Sequence, residues 1–171
     1  LSPVSAYLAL ALVGKGAEGE TQEAFLEVFK DLEVTPHDLM QELPREDENQ
    51  QIRIANSAWV DYQLNLNGDW ITWADSVYKS EVYQTNLAAE DTYLEMNKWI
   101  EEKTKGLIPQ LYEKPFEEDA RLVLLNTLYF KGKWANSFKA ADTREDSFVL
   151  ADGSVEQVQM MHMTGEPLRY V

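Results

Sequence analysis

Cysteine is absent from this 171-residue chain, which removes disulfides, zinc–thiolate sites and thiol nucleophiles from consideration. The compartment stays open, because a domain of this size is stable without bridges. Histidine is almost as scarce: His37 and His162 are the two, and no HExxH or paired-histidine spacing supports a metal site. Basic residues are few, 15 Lys and Arg against 30 Asp and Glu, for a net charge of −15. Phosphate backbones and anionic membranes are bound by Lys/Arg clusters, so this balance argues against nucleic acid and membrane as partners. No stretch has the ~18 consecutive apolar residues that span a bilayer, since Val4 to Val13 is too short, and no signal peptide is visible. Asn-x-Ser/Thr sequons and a Gly-x-Ser-x-Gly elbow are also missing. The chain opens Leu-Ser-Pro-Val-Ser without an initiator Met, and Pro167 to Val171 reads like the start of a strand, so both ends are expected to be cut.

What is present argues for a packed core: 44% of residues are apolar and 11% aromatic. Ser2-Pro3 is a helix start, with Ser as N-cap and Pro at the first helical position. The helix that follows, Val4 to Val13, is apolar nearly all round and is expected to be buried. Thr21 is expected to cap a second helix presenting Ala24, Phe25, Val28, Phe29 and Leu32. A short helix is expected around His37 to Leu43 in an acidic connector. Ile52 to Val60 alternates, with Ile52, Ile54, Asn56, Ala58 and Val60 on one face and Ala55, Ser57 and Trp59 opposite, which predicts a strand. Asn67-Gly68 starts a helix, Glu81 to Leu87 is extended, and Thr92-x-x-Glu95 is a capping box opening a helix closed by Gly106. Ser147 to Leu150 and Val155 to Met163, joined at Asp152-Gly153, predict a hairpin. Helices first, then strands interleaved with helices, give a single α+β domain with no internal repeat.

The most informative segment is Leu122 to Phe130, apolar except for Asn126 and Thr127. A run this continuous suits a strand covered on both faces. Asn126 at its centre is unfavourable unless its amide finds partners. It is either a satisfied core residue or a device for fixing, or switching between, packing arrangements.

Other motifs carry less. Gly14-x-Gly16-x-x-Gly19 spells a dinucleotide-binding loop, but a buried helix precedes it rather than a strand, and Glu18 and Glu20 would repel phosphate. Arg45 to Glu48 is a solvated charge run lacking the EF-hand glycine. Met160, Met161 and Met163 read as core filling before they read as a soft binding patch. An enzyme using carboxylates needs two that converge, and the spacing gives no hint of them.

Several segments together resemble the serpin family of serine protease inhibitors, in the family's order and over essentially all 171 residues. Ser2-Pro-Val-Ser5 with Gly16-Ala-Glu-Gly-Glu-Thr21 resembles helix B and the start of helix C. Ile54-Ala-Asn-Ser-Ala58 resembles strand 2 of the large sheet A, and Met96-Asn-Lys-Trp-Ile-Glu-Glu-Lys-Thr-Lys-Gly106 resembles helix F. Leu124-Leu-Asn-Thr-Leu-Tyr-Phe-Lys-Gly-Lys-Trp134 with Phe138 and Thr143 resembles strand 3A and its exit turn, and Phe148 to Met161 the next strands.

The resemblance implies a serpin-like α+β fold: helices packed on a large mixed or antiparallel sheet A, plus smaller sheets. Residues 1–171 would form one incomplete domain, from helix B through the first strands after strand 3A. It implies a metastable, non-enzymatic inhibitor that needs no cofactor. A reactive loop inserts into sheet A and traps a chymotrypsin-like or subtilisin-like serine protease covalently, a suicide mechanism driven by conformational change. That loop and its hinge are not in this chain, so no bait residue can be named. By resemblance Ser2, Pro3, Ser5 and Asn126 match the "shutter" beneath the sheet, and Trp134 and Phe138 match the "breach" at the loop's entry point. The stretch matching the heparin-binding helix D, Pro36 to Gln51, is acidic, which argues against heparin. An extracellular location is expected rather than a cytoplasmic one. The alternative is a non-inhibitory serpin relative acting as a binding or chaperone-like protein. On its own the piece is expected to fold poorly or aggregate, because strand Leu122 to Phe130 would present an open edge.

Overall fold

A computed structural model describes residues 2–163. The expected strand at Pro167 to Val171 lies outside these residues. The chain divides into two compact units, Leu1–Lys131 and Gly132–Val171.

The first unit opens with α1 (Pro3–Gly16), capped by Ser2, whose Oγ accepts from the Ser5 backbone N–H at 3.2 Å. Its Leu8 and Leu12 are buried, each worth about 1.5–3 kcal/mol of burial. Leu10 on the far side is 47% exposed, so the described residues cover one side of this apolar helix rather than all of it. The second helix, α2 (Gly19–Phe29), starts two residues ahead of Thr21: Gly19 takes φ +57°, and no side chain caps the helix. Phe29 of α2 meets Tyr7 of α1 edge-on at 5.0 Å. In α3 (Pro36–Glu42) the capping box is complete, Thr35 and Asp38 each bonding the other's backbone N–H.

A four-stranded sheet is built on β2 (Gln50–Asp61), which pairs antiparallel with the two-residue β1 (Arg45–Glu46) and parallel with β3 (Ser80–Thr85). Helix α4 (Gly68–Tyr78) joins β2 to β3, capped by the Asn67 side chain and ended by left-handed Lys79 at φ +51°. Helix α5 (Glu90–Lys103) has Ala89, not Thr92, at its N-cap. The Thr92 hydroxyl is taken instead by the Asn86 carbonyl and the Thr85 hydroxyl, both at 2.8 Å. Glu90 and Asp91 then occupy the first turn, where the helix dipole favours negative charge.

Strand β4 (Leu122–Gly132) pairs with β2. The contacts Asp61–Arg121 and Asn56–Asn126 run in opposite chain directions, so the pairing is antiparallel. Since β3 pairs the same β2 residues, β4 occupies β2's other edge. One face of the sheet carries Trp59 and Leu125 against Met96, Trp99 and Ile100 of α5. The other carries Ile54 and Leu124 against Leu8, Leu12, Met40, Ala74 and Tyr78. The first half of β4 is therefore covered on both faces, as its apolar run predicts. Beyond Asn126 the cover fails on one face, leaving Leu128 and Phe130 39% and 63% exposed.

In the second unit β5 (Arg144–Val149) and β6 (Val155–Met160) form the expected hairpin, turning at Gly153 with φ +84°. The second strand stops at Met160, short of Met163. Met161 is 50% exposed, so it does not fill a core among the described residues.

Candidate functional site

The polar chain at the centre of the sheet starts at Asn126. Its Nδ2 donates to Asn56 Oδ1 at 2.7 Å, and Asn56 Nδ2 in turn donates to the Tyr78 carbonyl at 2.9 Å. A weaker contact runs from the same Asn56 nitrogen to Met40 Sδ at 3.6 Å. The Tyr78 carbonyl belongs to the last turn of α4, where helical geometry leaves carbonyls without partners. Asn56, 3% exposed, therefore satisfies a helix end and a neighbouring strand at once. Relayed amide bonds polarise one another in such surroundings.

The relay stops short at one atom. Asn126 Oδ1 is buried and has no hydrogen-bond partner among the described residues. An unmade bond of this kind costs about 1–3 kcal/mol. The Tyr78 hydroxyl is in the same position, and burial first, then Tyr7, raises its pKa well above the ordinary phenol value.

Strand geometry explains where Asn126 faces. Arg121 directs its carbonyl at β2, and in an antiparallel pair the N–H and C=O of one residue share an edge while those of the next lie on the other. The backbone groups of Leu124, Asn126, Leu128 and Phe130 thus point to the edge away from β2, and no strand among the described residues pairs there.

The other sequence-matched residues are placed less tightly. Ser2 caps α1, Pro3 is the first residue of that helix, and Ser5 is half-buried. Val4 and Leu8 share a cluster with Leu124, yet no hydrogen bond joins Ser2 or Ser5 to Asn126 among the described residues. Asn56, which sequence reasoning did not select, is the partner. The available signal was an amide on the apolar face of the predicted strand Ile52–Val60.

In the second unit Trp134 meets Phe138 edge-to-face at 5.5 Å, with Trp134 65% exposed. The glycine motif is a packing device. A Cβ on Gly14 would lie 2.9 Å from Phe25 Cγ, and one on Gly16 would lie 3.0 Å from Trp70 Nε1, which donates to the Leu12 carbonyl. Among the described residues no three His, Asp or Glu side chains gather as a metal site, and no helix is long and apolar enough to cross a membrane.

The architecture is that of an α+β protein with helices on both faces of a mixed sheet, in which β4 has no partner on its outer side among the described residues. A family model described as serpin (serine protease inhibitor) matches residues 1–170, and the chain belongs to that family. An alpha-1-antitrypsin-like protein of Tamias sibiricus is 33% identical over 96% of this chain and 42% of its own length. The thermophilic serpin tengpin, at 27% identity over 94% of this chain, matches with TM-score 0.80 in its latent state and 0.82 in its native state, covering 45% and 43% of those chains. Thyroxine-binding globulin, solved with thyroxine, is 26% identical with TM-score 0.82 over 95% of this chain and 47% of its own. The chain thus spans less than half the length of these relatives, and its likeness is nearly equal for the two states of tengpin.

Proposed function

We propose that this chain is the N-terminal part of one incomplete serpin domain, helix B through the first strands after strand 3A, in a non-enzymatic inhibitor of serine proteases. In this reading a loop from the remainder of the protein is cut by a chymotrypsin-like or subtilisin-like protease. The cut loop inserts as a new strand along β4, and the protease stays covalently attached. The observation that carries the reading is the outward-facing edge of β4 with Asn126 at its centre. Among the described residues, four residues there have backbone groups without a strand partner, and one buried amide oxygen has no donor. A strand arriving at that edge would form a ladder of hydrogen bonds, and a side-chain donor on it would satisfy Asn126 Oδ1.

Ser2, Pro3, Ser5 and Asn126 are then the shutter, with Asn56 added from the geometry, and Trp134 and Phe138 are the breach. The metastable state is the one before insertion. No cofactor takes part, the acidic surface leaves no role for nucleic acid, membrane or heparin, and the protein acts outside the cell. The test is the whole protein mixed with chymotrypsin-like and subtilisin-like proteases and resolved on denaturing gels. A band surviving SDS at the summed mass supports trapping. Ordinary cleavage by every protease, with no such band, would move the assignment to a non-inhibitory relative that binds other molecules, as thyroxine-binding globulin binds thyroxine.

A further inference from the structure

The last turn of α5 and the turn that follows it carry two lysines that reach different strands of the sheet beneath. Lys103 Nζ lies 2.8 Å from Glu81 Oε1 on β3 and 3.8 Å from Glu102 on its own helix. The same Glu81 accepts from the Tyr83 hydroxyl, and Tyr83 stacks on Trp59 of β2 with ring centroids 4.1 Å apart. Lys103 also sits 5.7 Å from the Trp99 ring. Two residues on, Lys105 donates to Gln51 Oε1 of β2 at 2.7 Å and sits 5.0 Å from the ring of Tyr129 on β4. Lys105 has φ +53°, a left-handed conformation that is uncommon for a residue with a side chain but frequent where a helix ends.

We propose that Lys103 and Lys105 form a two-point charge latch that sets how often the C-terminal half of α5 lifts from the sheet. What the latch guards is the apolar contact of Met96, Trp99 and Ile100 with Trp59 and Leu125. Without it, the end of the helix is held to the sheet by that contact, because the Thr104 and Gly106 backbone bonds to Ile100 and Glu101 close the helix on itself. The inference concerns local opening within the first unit and stands apart from the protease reading.

Charge is the working element. Burial pushes the Glu81 pKa up, but hydrogen bonds from Lys103 and Tyr83, with smaller help from Trp99, outweigh it and leave the carboxyl below its ordinary value. Trp99 Nε1, though buried, has no hydrogen-bond partner among the described residues. Lys103 from α5 and Tyr83 from β3 face Glu81 directly, and Glu95 and Glu102 of α5 act on Tyr83. The latch is therefore closed near neutrality and weakened by acid or by salt.

The experiment is amide hydrogen exchange on the whole protein, read at Trp99 to Lys103. Lys103→Met keeps the aliphatic stem and removes the charge, and Glu81→Gln keeps an acceptor for Tyr83. Each is expected to speed exchange there by about three- to fivefold, the range of a partly exposed ion pair. Lys105→Met should do the same, while Glu101→Gln, on the exposed side of the turn, should change nothing. High salt should speed the parent and not Lys103→Met. Unchanged exchange in Lys103→Met and Glu81→Gln would overturn the proposal. So would an equal effect of Glu101→Gln, or acceleration spread equally through α1 and β3.

Discussion

Replacing Asn56 and Asn126 by leucine, singly and together, should give strongly non-additive losses. Leucine keeps the branched shape of asparagine without its polar atoms but is bulkier, so no cavity opens and each variant instead adds an overpacking cost of about 1–3 kcal/mol to the polar one. Asn56→Leu strands two groups at once, the Tyr78 carbonyl at 2.9 Å and Asn126 Nδ2 at 2.7 Å. Asn126→Leu strands Asn56 Oδ1 alone within the described residues. In the double variant only the Tyr78 carbonyl is left, because the two amides disappear together. Each stranded buried group costs about 1–3 kcal/mol. Adding Asn126→Leu to Asn56→Leu should therefore recover part of the loss, with a coupling of two stranded groups, about 2–6 kcal/mol. Any donor that the remainder of the protein offers to Asn126 Oδ1 drops out, since it is lost in both arms of the cycle. The assay is urea unfolding of the uncleaved whole protein, read as midpoint and slope. Additivity within ~0.5 kcal/mol would refute the relay.

Gly14→Ala places a methyl 2.9 Å from the Phe25 ring carbon and should lower stability by about 1–3 kcal/mol, with no nucleotide able to restore it in a thermal-shift assay. Tyr78→Phe removes a buried hydroxyl that has no partner among the described residues. It should leave unfolding stability unchanged or raised by up to ~1 kcal/mol, and a clear loss would show that the hydroxyl is bonded in the whole protein. For pH, the lowered Glu81 pKa means the folded state holds this carboxylate ionised more readily than the unfolded state. Its contribution is complete above the ordinary carboxylate value and fades as pH falls through the folded one. The Glu81 side chain is 41% exposed, so the parent should exceed Glu81→Gln by less than ~1 kcal/mol near pH 7, the two converging as acid protonates the carboxylate in the folded state.

The pieces of this fold governed by local periodicity were legible in the sequence. The alternation of Ile52 to Val60 sorts its side chains onto two faces, and those faces are the ones that meet α5 and α1. Asn67 marks the start of α4 for a local reason, an amide oxygen 2.8 Å from the Asp69 N–H. Where a competing partner came from elsewhere in the chain, local signals misled. Thr92 has the spelling of a cap, but its hydroxyl is claimed by Thr85 and Asn86. At the candidate site the cost of burying Asn126 could be read from its neighbours, but its partner could not. Asn56 lies 70 positions away, and only the strand register brings it opposite. The Lys103–Glu81 pair was equally hidden, since nothing local marks one lysine of an acidic helix as bonded across the sheet.

The central claim is that a new strand arrives along the outer edge of β4. It is tested most directly by amide exchange at Leu124, Asn126, Leu128 and Phe130 in the whole protein, before and after cleavage by a protease it traps. These four amides should exchange more slowly after cleavage than before it, while those of β3 change little. If exchange at these amides does not slow on cleavage, no strand is added there and the inhibitory reading fails.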